Sequence, residues 1–439
     1  MMVMVPHKSR ERLRRLLTTT LLAVCSVPAV VGPLAQPTSS ASAPLQGQRQ
    51  AHANAPRVFS IDVEKLAESK RAILAGDRTH DQALAALASE AHKALEAGPF
   101  SVVTTGKVPP SGDAHDYMSQ APYFWPDPQK PNGLPYLRRD GERNPEIEKL
   151  PDHQSMNRMI AAVATLALAY YFSGEEAYAT RASKLLRIWF LDAATRMNPN
   201  LEYAQAIPGV NTGRGIGLIE TRGLTQVVDA VGLLAGSKTW TDADQRGMEL
   251  WFGRYLSWLM ESAHGRDEAA AGNNHGTFYD VQVVSFALFA GRKELASEVL
   301  KASCEKRIAR QVEPDGRQPL ELARTRSWGY SVMNLQGLIA LAELGDCVGL
   351  DLWGYSTSDG RSIRRALDYL APFSLDDQKW PHPQIGEWSP QSLFPLLRKA
   401  ATRYRDSRFR VLASKVPSAD PADRSNLFES KTVDKDTRR

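Results

Sequence analysis

Apolar positions recur at helical spacing along most of the chain. Met159, Ile160, Val163, Leu166 and Ala167, followed by Tyr170, form one such stripe. Leu250, Phe252, Leu256 and Leu259 form another, widened by Trp251, Tyr255 and Trp258. The spacing predicts helices over roughly 61–76, 80–96, 155–173, 176–193, 216–235, 241–263, 277–290, 293–310, 328–344, 361–371 and 389–404. Strand-like alternation is nearly absent. Several of these helices fall in pairs joined by short turns, at Ser173-Gly174, Gly236-Ser237 and Gly291. Repeated helical hairpins without strands predict an all-α fold, either a solenoid or a closed α/α toroid. Three long stretches, about 98–154, 194–215 and 372–388, break the helical period. Loops of that length in a compact domain usually carry function.

The ends read differently. Residues 1–43 have a basic start, an apolar run from Leu16 to Leu34 broken by Pro28 and Pro33, and the small triplet Ala41-Ser42-Ala43. This is the pattern of a cleaved export signal, predicting a periplasmic or secreted protein with no membrane attachment after cleavage. A polar linker is expected over 44–58, one helical domain over 59–412 and a flexible tail over 413–439. The formal net charge is +5. Five basic residues against Glu11 lie before residue 44, so the remainder carries only +1. A broad nucleic-acid-binding surface is therefore not predicted, although a local basic groove is allowed. Cys304 and Cys347 are read as buried thiols, with a disulfide permitted by export. Oligomeric state is left open.

Four polar segments stand out. Asn273-Asn274-His275-Gly276 precedes a helical pattern. Amide donors can hold a carboxylate and a histidine can take a proton, although an N-cap and a packed histidine explain the tetrapeptide equally well. In Glu321–Tyr330, Arg324 offers a guanidinium fork, Arg326 a second cation and Tyr330 a phenol. The aromatic loop Tyr117-Met118-Ser119-Gln120-Ala121-Pro122-Tyr123-Phe124-Trp125-Pro126-Asp127-Pro128 suits stacking on sugar faces, or plugging of the core beneath it. Tyr203, Gln205 and Arg214 are polar groups in the fourth segment, which turn chemistry also explains. His153, His264 and His382 read as structural.

Asn, His, Arg and Tyr together match one chemistry, the β-elimination of a 4-linked uronate polymer. Neutralising the carboxylate makes the C5 proton removable, a base takes it, and an acid protonates the leaving O4. No cofactor or metal is required. A glycoside hydrolase would need a carboxylate pair, which the spacing does not offer. A non-catalytic glycan-binding protein of polysaccharide export is the other alternative.

On these segments the chain resembles the alginate lyase-like polysaccharide lyases built on an α/α toroid, over roughly residues 100–400. The resemblance implies an incomplete toroid of helical hairpins acting on a uronate-containing polysaccharide. It also implies that Asn274 and Arg324 bind the carboxylate, His275 assists as base or orienter, and Tyr330 is the acid/base. Tyr117, Ser119, Gln120, Trp125, Tyr203, Gln205, Arg214, Tyr279 and Arg326 are the further substrate-binding candidates. The mannuronate lyases of this group usually carry an aromatic soon after the Asn-His pair. Here Gly276-Thr277 comes first and Phe278-Tyr279 follows, which leaves mannuronate and glucuronate both open.

Overall fold

The computed structural model describes residues 56–375, 378–415 and 422–427. The expected export signal and linker lie outside them, apart from residues 56–58. Helices α1 (Val63–Leu74) and α2 (Asp81–Ala94) form the first pair. Three tight hairpins follow: α3 (Asp152–Ser173) with α4 (Glu176–Leu186), α5 (Leu224–Leu233) with α6 (Asp242–Glu261), and α8 (Asn274–Phe289) with α9 (Lys293–Ser303). The short helix α7 (Ala263–Ala270) leads into α8. Then come α10 (Ser327–Asp346), α11 (Ile363–Leu370), α12 (Phe394–Tyr404) and α13 (Ser407–Lys415).

The first helix of each hairpin packs on the first helix of the next, in the order α3, α5, α8, α10. Their partners lie outside. This is the α/α toroid that the pairing predicts. Every residue of α8 from Gly276 to Phe289 is buried, and α10 is mostly so. An inner helix is covered all round, so its sequence is apolar without a polar stripe. Because each outer helix returns the chain, the inner helices run the same way and gather their N-termini at one end.

The long loops meet at that end. Strand β1 (Met118–Gln120) pairs in parallel with β4 (Tyr203–Ala206), and β2 (Phe124–Trp125) pairs antiparallel with β3 (Leu137–Arg138). Asp152, the first residue of α3, accepts the Met118 N–H at 2.9 Å and pairs with the buried Lys107 ammonium at 3.1 Å. The loop is thereby tied to the start of an inner helix.

Four expectations need correcting. The helix expected over 216–235 begins as a 3-10 stretch, Gly215–Gly223. A Cβ on Gly217 would overlap the Ala204 backbone, so β4 approaches too closely for a regular helix with side chains there. Helix α8 starts at Asn274 rather than 277, because the Asn273 side chain caps it by accepting the His275 N–H. The tail expected over 413–439 is partly packed: Leu427 is fully buried, and Arg424 donates to Thr165 Oγ1 on α3 at 3.0 Å. Cys304 and Cys347 are free, and Cys347 is exposed rather than buried. No helix among the described residues is long and apolar enough to cross a membrane.

The start of the domain docks on α5. Asp229 is buried and accepts the Phe59 N–H at 2.6 Å, together with the Ser60 hydroxyl. Burial pushes its carboxyl up to about 6, against the lowering effect of these bonds. The folded state thus holds this proton more tightly than the unfolded chain. The Asp229 contribution is fully present below the ordinary value of 3.8 and is lost as pH rises through 6. That is about 3 kcal/mol. Denaturant titrations of the wild-type protein and Asp229→Asn between these two pH values should show the decline in the wild type alone. Equal slopes would reject the assignment.

Candidate active site

A cleft of about 730 Å3 opens where the N-terminal ends of α3, α8 and α10 meet the β1 and β4 loops. Helix N-termini carry partial positive charge, so three inner helices aim their favourable ends at an anion. The side chains add to this. Arg138, Arg143, Arg158, Arg214, Arg222 and Arg324 line the cleft against Glu148 and Glu220. Among the described ion pairs, only Arg138 and Arg324 have carboxylate partners, and both use Asp140. The near-neutral domain therefore concentrates positive charge in one groove.

Tyr330 sits in the first turn of α10 and faces the cleft. Its hydroxyl accepts from Arg324 Nη2 at 2.7 Å and donates to the Tyr123 hydroxyl at 3.0 Å. The Arg324 guanidinium lies 3.7 Å from the Tyr330 ring centroid. Burial, followed by the neighbouring Tyr123, pushes the Tyr330 phenol well above its ordinary value, and the opposing Arg324 does not compensate. The phenol accordingly holds its proton. Arg324 is placed differently from expectation. Its Nε and Nη2 both donate to Asp140, with Nη2 at 2.7 Å, so the fork expected to meet a carboxylate is occupied. Burial alone would raise the Asp140 carboxyl, but Arg324 and the Thr325 N–H hold it well below the usual carboxylate range.

His275 also lines the cleft. Its Nδ1 lies 2.7 Å from Glu268 Oε1, and Glu268 is buried on α7. A carboxylate only accepts, so Nδ1 carries a proton, and in the neutral imidazole the lone pair is on Nε2. Asn273 is in the cleft and Asn274 is not. Asn274 is fully buried, donating its backbone N–H and side-chain amide to Glu321 at 2.6 and 2.7 Å. The side chain of a cap residue points off the helix end, whereas that of the next residue turns inward. Asn273 thereby takes the place in the cleft expected of Asn274. The carbonyl oxygen of Asn273 serves the cap, which leaves its amide NH2 for a ligand.

At the β1–β4 corner, Ser119, Gln120, Gln205 and Arg214 line the cleft. The Ser119 hydroxyl donates to Glu220 at 2.6 Å and accepts the Gln205 N–H at 2.8 Å. Gln205 has φ 50°, a left-handed conformation costing roughly 1 kcal/mol or more. Its side-chain oxygen accepts from Arg214 at 2.8 Å. Burial brings Arg214 down to about 10.

Five other expected binding residues lie elsewhere. Tyr117 is buried beneath the loop, donating to Glu220 at 2.6 Å. Tyr279 is buried one turn behind His275, donating to the Leu259 carbonyl at 3.0 Å. Trp125 donates to the Glu142 carbonyl at 3.0 Å and does not border the cleft. Tyr203 and the exposed Arg326 lie off it as well.

Sequence reasoning missed His153, which faces the cleft from the first turn of α3 with Gln154, Asn157 and Arg158. The signal was present, as a polar cluster at the start of an otherwise apolar helix. Burial lowers the His153 imidazole, outweighing the nearby Glu220. Tyr123 lies within the aromatic loop 117–128. Asp140 carried no signal because its partner Arg324 is 184 positions away, and Glu268, seven positions before His275, carried none because it stands on a separate helix.

Comparisons with known proteins agree with this geometry. The alginate lyase family model matches residues 101–380. An alginate lyase structure from Bacteroides ovatus is 40% identical with a TM-score of 0.83, covering 86% of this chain and 100% of its own. Alginate lyase A1-III from Sphingomonas species A1 shares the fold at 17% identity and a TM-score of 0.51, covering 89% of this chain and 100% of its own. A variant of A1-III complexed with a tetrasaccharide aligns with a TM-score of 0.53 at 17% identity, over 86% of this chain and 98% of its own. A search of the curated proteins returns no match. By the family match, the fold and the 40% identity, the chain belongs to the alginate lyase family.

Proposed function

We propose that this protein cleaves 4-linked uronate polymers of the alginate type by β-elimination, with Tyr330 as acid and His275 as base. The observation carrying this reading is that a phenol and an imidazole whose Nδ1 is held by Glu268 border one arginine-rich cleft. His275 Nε2 takes the C5 proton and the C5–H electrons form the C4=C5 double bond. The C4–O4 bond breaks, and Tyr330 gives its proton to O4. In mannuronate and glucuronate, C5–H and O4 lie on the same side of the ring, so acid and base work from one face. The Asn273 amide donates to the carboxylate as charge develops there, and Arg214 and Arg222 supply positive potential. Arg324, tied to Asp140, donates to the Tyr330 oxygen and stabilises the phenolate left after proton transfer. An export signal at 1–43 suits a polymer too large to enter a cell, so a periplasmic or secreted location is part of this proposal.

Incubation with polymannuronate and with glucuronan, monitored by the ultraviolet absorbance of the conjugated product, tests the reaction and ranks the two substrates. No absorbance on either polymer would overturn the reading. Because unpaired arginines hold a polyanion, KM should rise about ten-fold between about 0.05 and 0.5 M salt while kcat changes little. A KM independent of salt would remove the arginines from substrate binding.

A further inference from the structure

Base and orienter stand on different helices, His275 on α8 and Glu268 on α7. Their 2.7 Å contact therefore depends on how the two helices are held together. We infer that Arg307, which does not border the cleft, is the positioning residue that sets this contact. It rests on the reading of His275 as base.

Arg307 lies in a π-helical turn, Cys304–Ala309, that continues α9, and it is buried. Its Nε and Nη2 donate to Asp280 Oδ2 and Oδ1 at 2.7 and 3.0 Å, gripping α8 one and a half turns beyond His275. Nη2 also donates to the Ala269 carbonyl at 2.8 Å, next to Glu268. Nη1 donates to the Ala271 carbonyl at 2.8 Å, in the linker that delivers Asn273. One planar guanidinium thus bonds to the helix of the base, the helix of its orienter and the linker between them. A lysine keeps the charge and cannot span three directions in one plane. Gly276 belongs to the same device. A Cβ there would overlap both Arg307 Nη1 and the Ala271 carbonyl oxygen. This accounts physically for glycine following the Asn-His pair.

The molecule contains a control of similar kind. Arg187 opens another π-helical turn, Arg187–Leu191, and donates to Asp244 at 2.8 and 2.7 Å and to the Thr239 carbonyl at 2.6 Å. It too ties a carboxylate and a carbonyl from a π-helical turn, is partly exposed where Arg307 is buried, and does not border the cleft.

The test compares Arg307→Lys, Gly276→Ala and Arg187→Lys on polymannuronate, measuring kcat, KM, Tm and the low-field proton resonance of the His275–Glu268 hydrogen bond. In folded Arg307→Lys and Gly276→Ala, kcat should fall about a hundred-fold with KM nearly unchanged, because a displacement of about 1 Å is enough for such a loss. The resonance should shift or broaden in both. Arg187→Lys should lower Tm and leave kcat and the resonance alone. Wild-type kcat in either folded site variant, or an equal loss in Arg187→Lys, would overturn the inference. Should Arg307→Lys not fold, Gly276→Ala decides. A wild-type protein inert on every polyuronate would instead reject the elimination reading, and the resonance would still report whether Arg307 sets the contact.

Discussion

Tyr330→Phe is expected to lower kcat about a thousand-fold or more, with a Tm close to that of the wild type. The hydroxyl is the proton donor to O4, and a positioned acid contributes about 10²–10⁴-fold. Its loss removes bonds to Arg324 and Tyr123, both partly open to the cleft, at a cost of about 1 kcal/mol. The ring remains beside the Arg324 guanidinium, so packing persists. The effect should fall on kcat, because the transferring proton matters only as the C4–O4 bond breaks. Turnover within ten-fold of wild type would place the acid elsewhere. His153 would then be the next candidate, as the other titratable nitrogen base in the cleft.

His275→Gln is expected to have the second largest effect, lowering kcat by about 10²–10³. Glutamine is more informative than alanine here. Alanine would leave buried Glu268 without its partner, and Glu268 Oε2 already lacks a protein partner. Removing one partner of such a buried pair costs about 3–5 kcal/mol and would confuse a stability defect with a catalytic one. A glutamine amide donates to Glu268 and supplies no base. Kinetic and melting measurements on one preparation separate the two outcomes. Near-normal turnover would mean that His275 only orients substrate.

Much of this site could be read from local sequence, and its misreadings share a cause. Asn273, Asn274 and His275 were found as a group because a polar triplet before an apolar helix is visible without a fold. Which asparagine faces the cleft depends on where α8 begins, a choice made by the Asn273 cap and by Glu321, 47 positions away. Arg324 and Tyr330 were likewise visible, but the guanidinium is held by Asp140, 184 positions earlier. Tyr117 lies in the loop that suits sugar stacking, and Tyr279 is a binding candidate by resemblance. Both point inward, because the loop and helix carrying them cover the core on that side.

The helical period and the short turns between paired helices by themselves determined an all-α chain of hairpins, and the polar segments placed its chemistry in two of the long loops and at the starts of two helices. Period and turn chemistry are local properties, set by residues a few positions apart. Only the tertiary structure decided that the inner helices point their N-termini at one cleft. It also decided which side chains remain free there, because a side chain is free or occupied according to partners brought together by the closed ring. The Asp140–Arg324 pair, the Glu268–His275 contact and the Arg307 clamp all join separate elements. No periodicity encodes such pairings, so their geometry had to be seen.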